Sequence, residues 1–188
     1  FTGDVRYKGN TLLSIEDTDL SIYFTNTVSS NIVSGSALQN TVFGYSAGSS
    51  ITTSGRTTLI GYMSGNKITT GGYNTLIGRD AGGGISEATQ NVFIGASAGH
   101  DDTGGKNVGI GNFVLENNTS GSGNVALGYQ AGRSNATGSN NIFLGYFSGY
   151  SETGSNKLYI ENSDTSASNA LIYGEFDNNI LSTSGKFG

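Results

Sequence analysis

An apolar residue followed by glycine recurs seven times along this chain at an almost constant period. The glycines are Gly44, Gly61, Gly78, Gly95, Gly111, Gly128 and Gly145, with successive steps of 17, 17, 17, 16, 17 and 17 in the numbering. In six copies a second glycine follows four residues later, at Gly48, Gly65, Gly82, Gly99, Gly132 and Gly149, and Leu115 replaces it in the fifth. A period this short leaves no room within one copy for a compact unit with a core of its own. It predicts one coil of a solenoid per copy, with the core built by stacking. That points away from a compact enzyme with a cleft and towards a rod that spaces or binds things.

Composition removes the competing readings. Charged residues are only 12% of the 188 positions and hydrophobic ones 35%, with 31 glycines and no proline. Such a content would fit an unfolded linker, but a linker has no reason to keep apolar residues on a fixed beat. Nine basic residues against 14 acidic ones, a net charge of -5, argue against a nucleic-acid partner. No run approaches the roughly 18 apolar residues of a membrane span, so no membrane insertion is expected. Cysteine is absent, which fits an extracellular rod stabilised by stacking. The chain opens on Phe1 without a signal-like segment, and it reads as a piece of a longer protein.

Three regions follow from the repeat. Residues 1–37 carry none of it, and Thr11 to Ile15 and Leu20 to Phe24 are predicted strands joined by the acidic turn Glu16-Asp17-Thr18-Asp19. Residues 38–152 hold seven coils. Residues 153–188 begin as an eighth copy, with Glu161 at the glycine position, and end as a cap or connector.

Each coil assigns fixed jobs to its positions. The residue before the beat glycine is always apolar: Phe43, Ile60, Ile77, Ile94, Ile110, Leu127, Leu144. Two residues earlier stand Thr41, Thr58, Thr75, Val92, Val108, Val125 and Ile142, on the same face of an extended strand. The residue between them faces the other way and is also mostly apolar: Val42, Leu59, Leu76, Phe93, Gly109, Ala126, Phe143. A solitary solenoid would carry polar residues on its outer strand face. Two apolar faces mean that one fills the coil and the other meets a partner chain, because each buried aliphatic or phenylalanine side chain contributes about 1.5–3 kcal/mol. Two short strands and two turns would use up one period.

The turns have their own columns. Asn40, Asn74, Asn91, Asn107, Asn124 and Asn141 stand four residues before the beat glycine, and asparagine at a tight corner predicts a left-handed turn. Gly55, Gly72, Gly105, Gly123 and Gly138 are expected to supply positive φ. Ala47, Ser64, Ala81, Ala98, Val114, Ala131 and Ser148, mostly small, predict a place of close approach.

Little in the chain points to chemistry. His100-Asp101-Asp102 reads as a solvated turn, since a metal site needs ligands from other segments. Glu16, Asp17 and Asp19 lack the spacing of a calcium loop. Gly82-Gly83-Gly84 and Gly109-Ile110-Gly111 belong to the repeat and need no nucleotide. The candidate binding residues are Tyr45, Tyr62, Tyr129 and Tyr146, which all follow the beat glycine. They read either as stacking platforms for glycan rings or as cross-chain packing. Thr41, Thr58 and Thr75 share a face with Phe43, Ile60 and Ile77, which predicts an inward core column rather than an ice-binding one.

Asn124-Val125-Ala126-Leu127-Gly128-Tyr129-Gln130-Ala131-Gly132 resembles the head repeats of trimeric autotransporter adhesins of the YadA type, and Asn141 to Tyr146 is a second close copy. Similar repeats occur in phage tail fibres and in surface proteins that end in a self-cleaving chaperone domain. Asn156 to Asn162 and Leu171 to Gly174 resemble the segment that precedes such a chaperone. The resemblance covers about residues 38–176. It implies an all-β fold, a left-handed parallel β-roll, three copies of which associate around a threefold axis. The coils here are two or three residues longer than the typical adhesin repeat, which favours the tail-fibre branch.

The function expected is a non-enzymatic, structural and adhesive fibre segment of a phage-like tail fibre or bacterial surface adhesin, extracellular or on the virion. It needs no cofactor and no metal. Its partners would be its own copies, neighbouring fibre or tail proteins, and a cell-surface glycan or protein receptor. A carbohydrate-binding module is the alternative. A fibre-borne polysaccharide depolymerase ranks last, because no pair of carboxylates recurs with the repeat.

Overall fold

The computed structural model describes residues 39–163 and 170–184, together with the backbone of three strands ahead of them. Those strands are β1 (Gly3–Tyr7), β2 (Asn10–Ile15) and β3 (Ile22–Phe24), paired antiparallel in sequence order. β2 and β3 match the two strands read from sequence, while the acidic stretch 16–19 lies outside the described residues.

From β3 onward the pairing is parallel. Seven three-residue strands follow, one per coil: β4 (Thr41–Phe43), β5 (Thr58–Ile60), β6 (Thr75–Ile77), β7 (Val92–Ile94), β8 (Val108–Ile110), β9 (Val125–Leu127) and β10 (Ile142–Leu144). An eighth rung, β11 (Lys157–Ile160), continues them. The chain then turns back on itself through β12 (Ile172–Glu175) and β13 (Ile180–Thr183), which pair antiparallel. All thirteen strands form one sheet in chain order. The fold is all-β, a parallel β-solenoid of about seven 17-residue coils, with no helix among the described residues.

Register follows the repeat. Thr58 pairs with Thr75, Thr75 with Val92 and Val92 with Val108, so each position of a coil sits on its counterpart. The one shorter step, between Gly95 and Gly111, leaves this register intact. Rungs at about 4.8 Å make a rod of roughly 34 Å over seven coils.

Only one side of the coil is strand. The expected second strand is absent, yet its N–H groups still bond to the next coil: Gly48 to the carbonyl of Ser64 (3.0 Å), Gly65 to Ala81 (2.9 Å), Thr52 to Thr69 (3.0 Å). Left-handed residues interrupt this side too often for regular strand dihedrals. Gln39, Arg56, Tyr73, Gln90, Lys106 and Asn140 have φ of 42–64°, and so do Met63, Asp80, Phe113 and Phe147 two residues after the beat glycine, at 54–58°. Of the five turn glycines named from sequence, only Gly123 is left-handed, at φ 70°. Ordinary residues hold this corner because it is fixed by inter-coil bonds such as Tyr73 N–H to the carbonyl of Gly55 (3.0 Å).

The asparagine column lies inside the coil, one residue past that left-handed corner. Asn40, Asn74, Asn91, Asn107, Asn124 and Asn141 are buried. Each Oδ1 accepts the backbone N–H of the same position in the next coil: Thr57, Asn91, Asn107, Asn124, Asn141 and Lys157, at 2.8–2.9 Å. Each Nδ2 donates to a backbone carbonyl at the end of its own coil, at Ser54, Ala88, Gly104, Gly121, Gly138 and Gly154. Stacking identical amides lets every side chain satisfy two buried backbone groups of a corner that no strand hydrogen bond reaches.

The interior is narrow and made of columns. Val42, Leu59, Leu76, Phe93, Ala126 and Phe143, the middle residues of the strands, have no exposed surface. They meet Ala47, Ala81, Ala98, Val114 and Ala131, and a further column at Ile51, Ile68 and Ile85, seven positions after the beat glycine. Thr41, Thr58 and Thr75 are therefore not core residues. They flank an inward-pointing residue in a strand and must point out, as the exposed–buried–exposed pattern of β4 shows.

The fifth coil breaks two rules of the repeat at once. Gly109 takes the inward strand position, and Leu115 replaces the second glycine at φ 47°, fully buried. A β-carbon on Gly109 would stand 2.8 Å from Phe93 Cδ1 and 3.0 Å from Val114 Cγ1. The ring below and the valine have taken the space that a side chain at 109 would fill, and Leu115 completes the layer. Leu115→Gly removes a buried side chain worth about 2–5 kcal/mol and relieves left-handed strain of roughly 1–2 kcal/mol. The expected net loss is about 1–3 kcal/mol, read as a lower urea midpoint. A more stable variant would show that the layer does not need the leucine.

Candidate functional site

The outer face of the strands is the most distinctive surface among the described residues. Where one column lines the core, the two flanking columns turn outward, and these are apolar as well. Phe43 is 57% exposed, Ile110 42%, Leu127 39% and Ile60 36%. Val92, Val108, Val125 and Ile142 stand half-buried beside them. Apolar side chains thus run the length of the rod on one side.

The four tyrosines border this strip. Tyr45 and Tyr62 stack with ring centroids 5.4 Å apart and planes 10° from parallel, and Tyr129 and Tyr146 do so at 5.5 Å and 15°. Rings one rung apart are spaced for mutual stacking, so one face of each is already covered. Arg79, Ala96 and Asn112 separate the two pairs. Arg79 is ion-paired to Asp80, and Asn112 Oδ1 accepts the N–H of Ala96 at 2.9 Å.

Around the second pair the structure gathers residues that sequence reading did not single out. Phe147 lies 4.5 Å from Tyr146, 5.6 Å from Tyr129 and 5.3 Å from Tyr150, with its plane tilted to all three. Phe113 meets Tyr129 edge-on at 6.0 Å, and the Arg133 guanidinium stands 5.7 Å above the Phe113 ring. Arg133 Nε donates to Glu116 Oε2 at 2.5 Å, which holds the guanidinium charged. The signal was present in sequence, since Phe113 and Phe147 share one repeat position and Glu116, Arg133 and Tyr150 share another. It was obscured because other coils fill those positions with unrelated residues.

The His100-Asp101-Asp102 cluster divides between the two sides of the chain. His100 Nδ1 and Asp101 Oδ1 are 2.7 Å apart on the surface. Asp102 points inward with no exposed surface, which corrects the reading of all three as a solvated turn. It occupies the interior column of Ile51, Ile68 and Ile85, whose offset from the beat glycine places it there. Among the described residues no three histidine or acidic side chains converge.

At the C-terminal end, a cleft of about 420 Å³ is lined by Leu144, Ile160, Glu161, Leu171 and Ser184. Glu161 stands where a beat glycine would be, and its Oε1 accepts the N–H of Gly149 at 3.1 Å. The antiparallel strands beyond it are tied by Glu175, which accepts from Tyr173 Oη at 2.6 Å, from Asn178 Nδ2 at 2.5 Å and from Lys157 Nζ at 3.1 Å. These donors, Tyr173 first, hold its carboxyl down at about 2.

No family model, no curated protein and no solved structure matches this chain.

Proposed function

We propose that this chain is a structural and adhesive rod segment that works as a parallel homotrimer, in an extracellular tail fibre or bacterial surface adhesin. The observation that carries the reading is the apolar strip on the outer strand face, Phe43, Ile60, Ile110 and Leu127, outside a coil whose own core is already closed. Contiguous apolar surface of this length on a soluble rod is a mark of an interface. The threefold arrangement, the left-handed coil and the biological setting rest on the resemblance of the repeats to YadA-type heads and tail fibres. In this reading the segment acts by shape and contact rather than by catalysis. It holds a receptor-binding element away from a particle or cell and docks onto neighbouring fibre proteins at its ends.

Native mass measurement tests it. The wild type is expected at three times the chain mass, and the Ile60→Lys/Ile110→Lys/Leu127→Lys variant at the chain mass, because three lysines per copy cannot be desolvated in the seam. A wild type that stays a folded monomer at micromolar concentration would overturn the proposal.

A second reading is favoured by the cluster of Tyr146, Phe147 and Tyr150, where the Phe147 ring is tilted to both neighbours and Tyr146 is exposed, an aromatic surface of the kind on which sugar rings stack. On that reading Phe147→Ala and Tyr150→Ala abolish retention on a glycan array, whereas Tyr45→Ala does not. Equal binding by all three variants would eliminate it.

A further inference from the structure

Asp102 is the acidic residue that the core holds without any exposed surface, among the described residues. It stands in the column that isoleucine fills in the three preceding coils and that Asn118 and Asn135 fill in the next two. Its partners are all neutral N–H donors. Asn118 Nδ2 lies 2.6 Å from Oδ1, the N–H of Gly104 3.1 Å from the same oxygen, and Asn107 Nδ2 3.2 and 3.3 Å from the two oxygens.

Among the described residues no counter-charge faces it. In the coil before, its column holds Ile85, and in the coil after, Asn118. The titratable neighbours in its own coil, His100, Asp101 and Lys106, stand outside, the first two paired with each other. In the following coil Glu116 is paired with Arg133 at the surface. The site is also the least satisfied part of the core: Asn118 Oδ1 is the buried side-chain oxygen left without a hydrogen-bond partner among the described residues.

We propose that Asp102 makes the junction of the fourth and fifth coils a pH-sensitive joint of the rod, tight when the carboxyl is protonated and loosened when it is charged. A charge taken into an apolar column without an ion of opposite sign costs more than three neutral donors return. Burial accordingly dominates the hydrogen bonds and pushes the carboxyl up to about 7. The unfolded carboxyl titrates near its ordinary 3.8, so between 3.8 and about 7 the folded chain keeps a proton that the unfolded chain has released. The stability this confers is complete below 3.8 and is lost as pH rises through 7. The unfolding equilibrium therefore shifts by roughly a thousandfold across that window. Solenoid coils contact only their neighbours, so loosening this junction separates the first four coils, three with isoleucine and the fourth with Asp102 in this column, from the three that follow.

The test compares urea midpoints of wild type and Asp102→Asn from pH 4 to pH 9. Asparagine already fills this column at 118 and 135, and it carries no titrating proton. The wild type is expected to lose resistance as pH rises to about 7 and to level off above it, and Asp102→Asn to lack that fall. Parallel profiles would overturn the proposal. Should the variant fail to fold, the carboxyl carbon of Asp102 is titrated by NMR in the wild type. A midpoint near neutrality supports the joint, and one near 4 overturns it.

Discussion

Gly78→Ala is expected to destabilise the rod by about 3–5 kcal/mol, at the extreme of what one methyl group can do. Gly78 has φ +138°, and a β-carbon there would stand 2.6 Å from the carbonyl carbon of Gly95 in the next coil. Two costs therefore add. An L residue in that backbone region costs about 1–3 kcal/mol. The methyl also cannot be placed unless the rungs of Gly78 and Gly95 separate, and their separation gives up the hydrogen bonds Gly95 N–H to the carbonyl of Ile77 (2.8 Å) and Ser97 N–H to that of Arg79 (2.9 Å). The same contact recurs at each beat glycine, so the effect should repeat at Gly61 and Gly111. Gly174→Ala is the control, since its nearest neighbours would lie 3.3 Å away. Thermal and urea melts of these variants decide the matter, and a Gly78→Ala loss no larger than that of Gly174→Ala would refute the steric account.

Asn124→Ala is the second variant with a large expected effect, a loss of about 2–4 kcal/mol. Its Oδ1 accepts the N–H of Asn141 at 2.9 Å and its Nδ2 donates to the carbonyl of Gly138 at 2.9 Å. Alanine leaves the Asn141 N–H buried and unpaired, at about 1–3 kcal/mol, and removes one of the two amides on the Gly138 carbonyl, which keeps Asn135 Nδ2 at 2.9 Å, at about 0.5–1.5 kcal/mol. Water cannot replace the amide without opening the column. Asn140, one residue before Asn141, is exposed, and Asn140→Ala is expected to cost only about 1 kcal/mol, the strain of alanine at φ 59°. Hydrogen exchange gives the local readout: the Asn141 amide should exchange much faster in Asn124→Ala. If both asparagine variants melt alike, the ladder carries no more stability than a surface residue.

Much of this was readable from the chain. Where the beat glycine stands, the apolar residues before it alternate in and out, and that alternation located the strands of every coil. The direction of the alternation was not readable at Thr41, Thr58 and Thr75. Both faces are apolar, so hydrophobicity does not distinguish the inside from the outside. The asparagine column was visible as a column, but its location was misassigned. Asparagine suits a left-handed corner and a buried amide ladder equally well, and only the left-handed φ of Gln39, Tyr73, Gln90 and Lys106, one residue earlier, separates the two.

The candidate site divides in the same way. Tyr45, Tyr62, Tyr129 and Tyr146 were found by their common offset, but their pairing into two stacks and the clustering of Phe113, Phe147 and Tyr150 depend on which rungs are neighbours. Asp102 looked like part of a polar turn because His100 and Asp101 precede it. Its column partners are Ile85, one coil back, and Asn118, one coil on, a relation that appears only when the coils are superimposed.

By itself the sequence determined the period, the parallel stacking and the in-register columns, because so short a repeat with a required glycine admits no other way to close a core. Only the tertiary structure decided which column faces inward, which corner is left-handed and where an acid is shut away from water. Those depend on how the irregular side of the coil folds back over the strand. That side is set by hydrogen bonds between coils, which no single copy of the repeat can express.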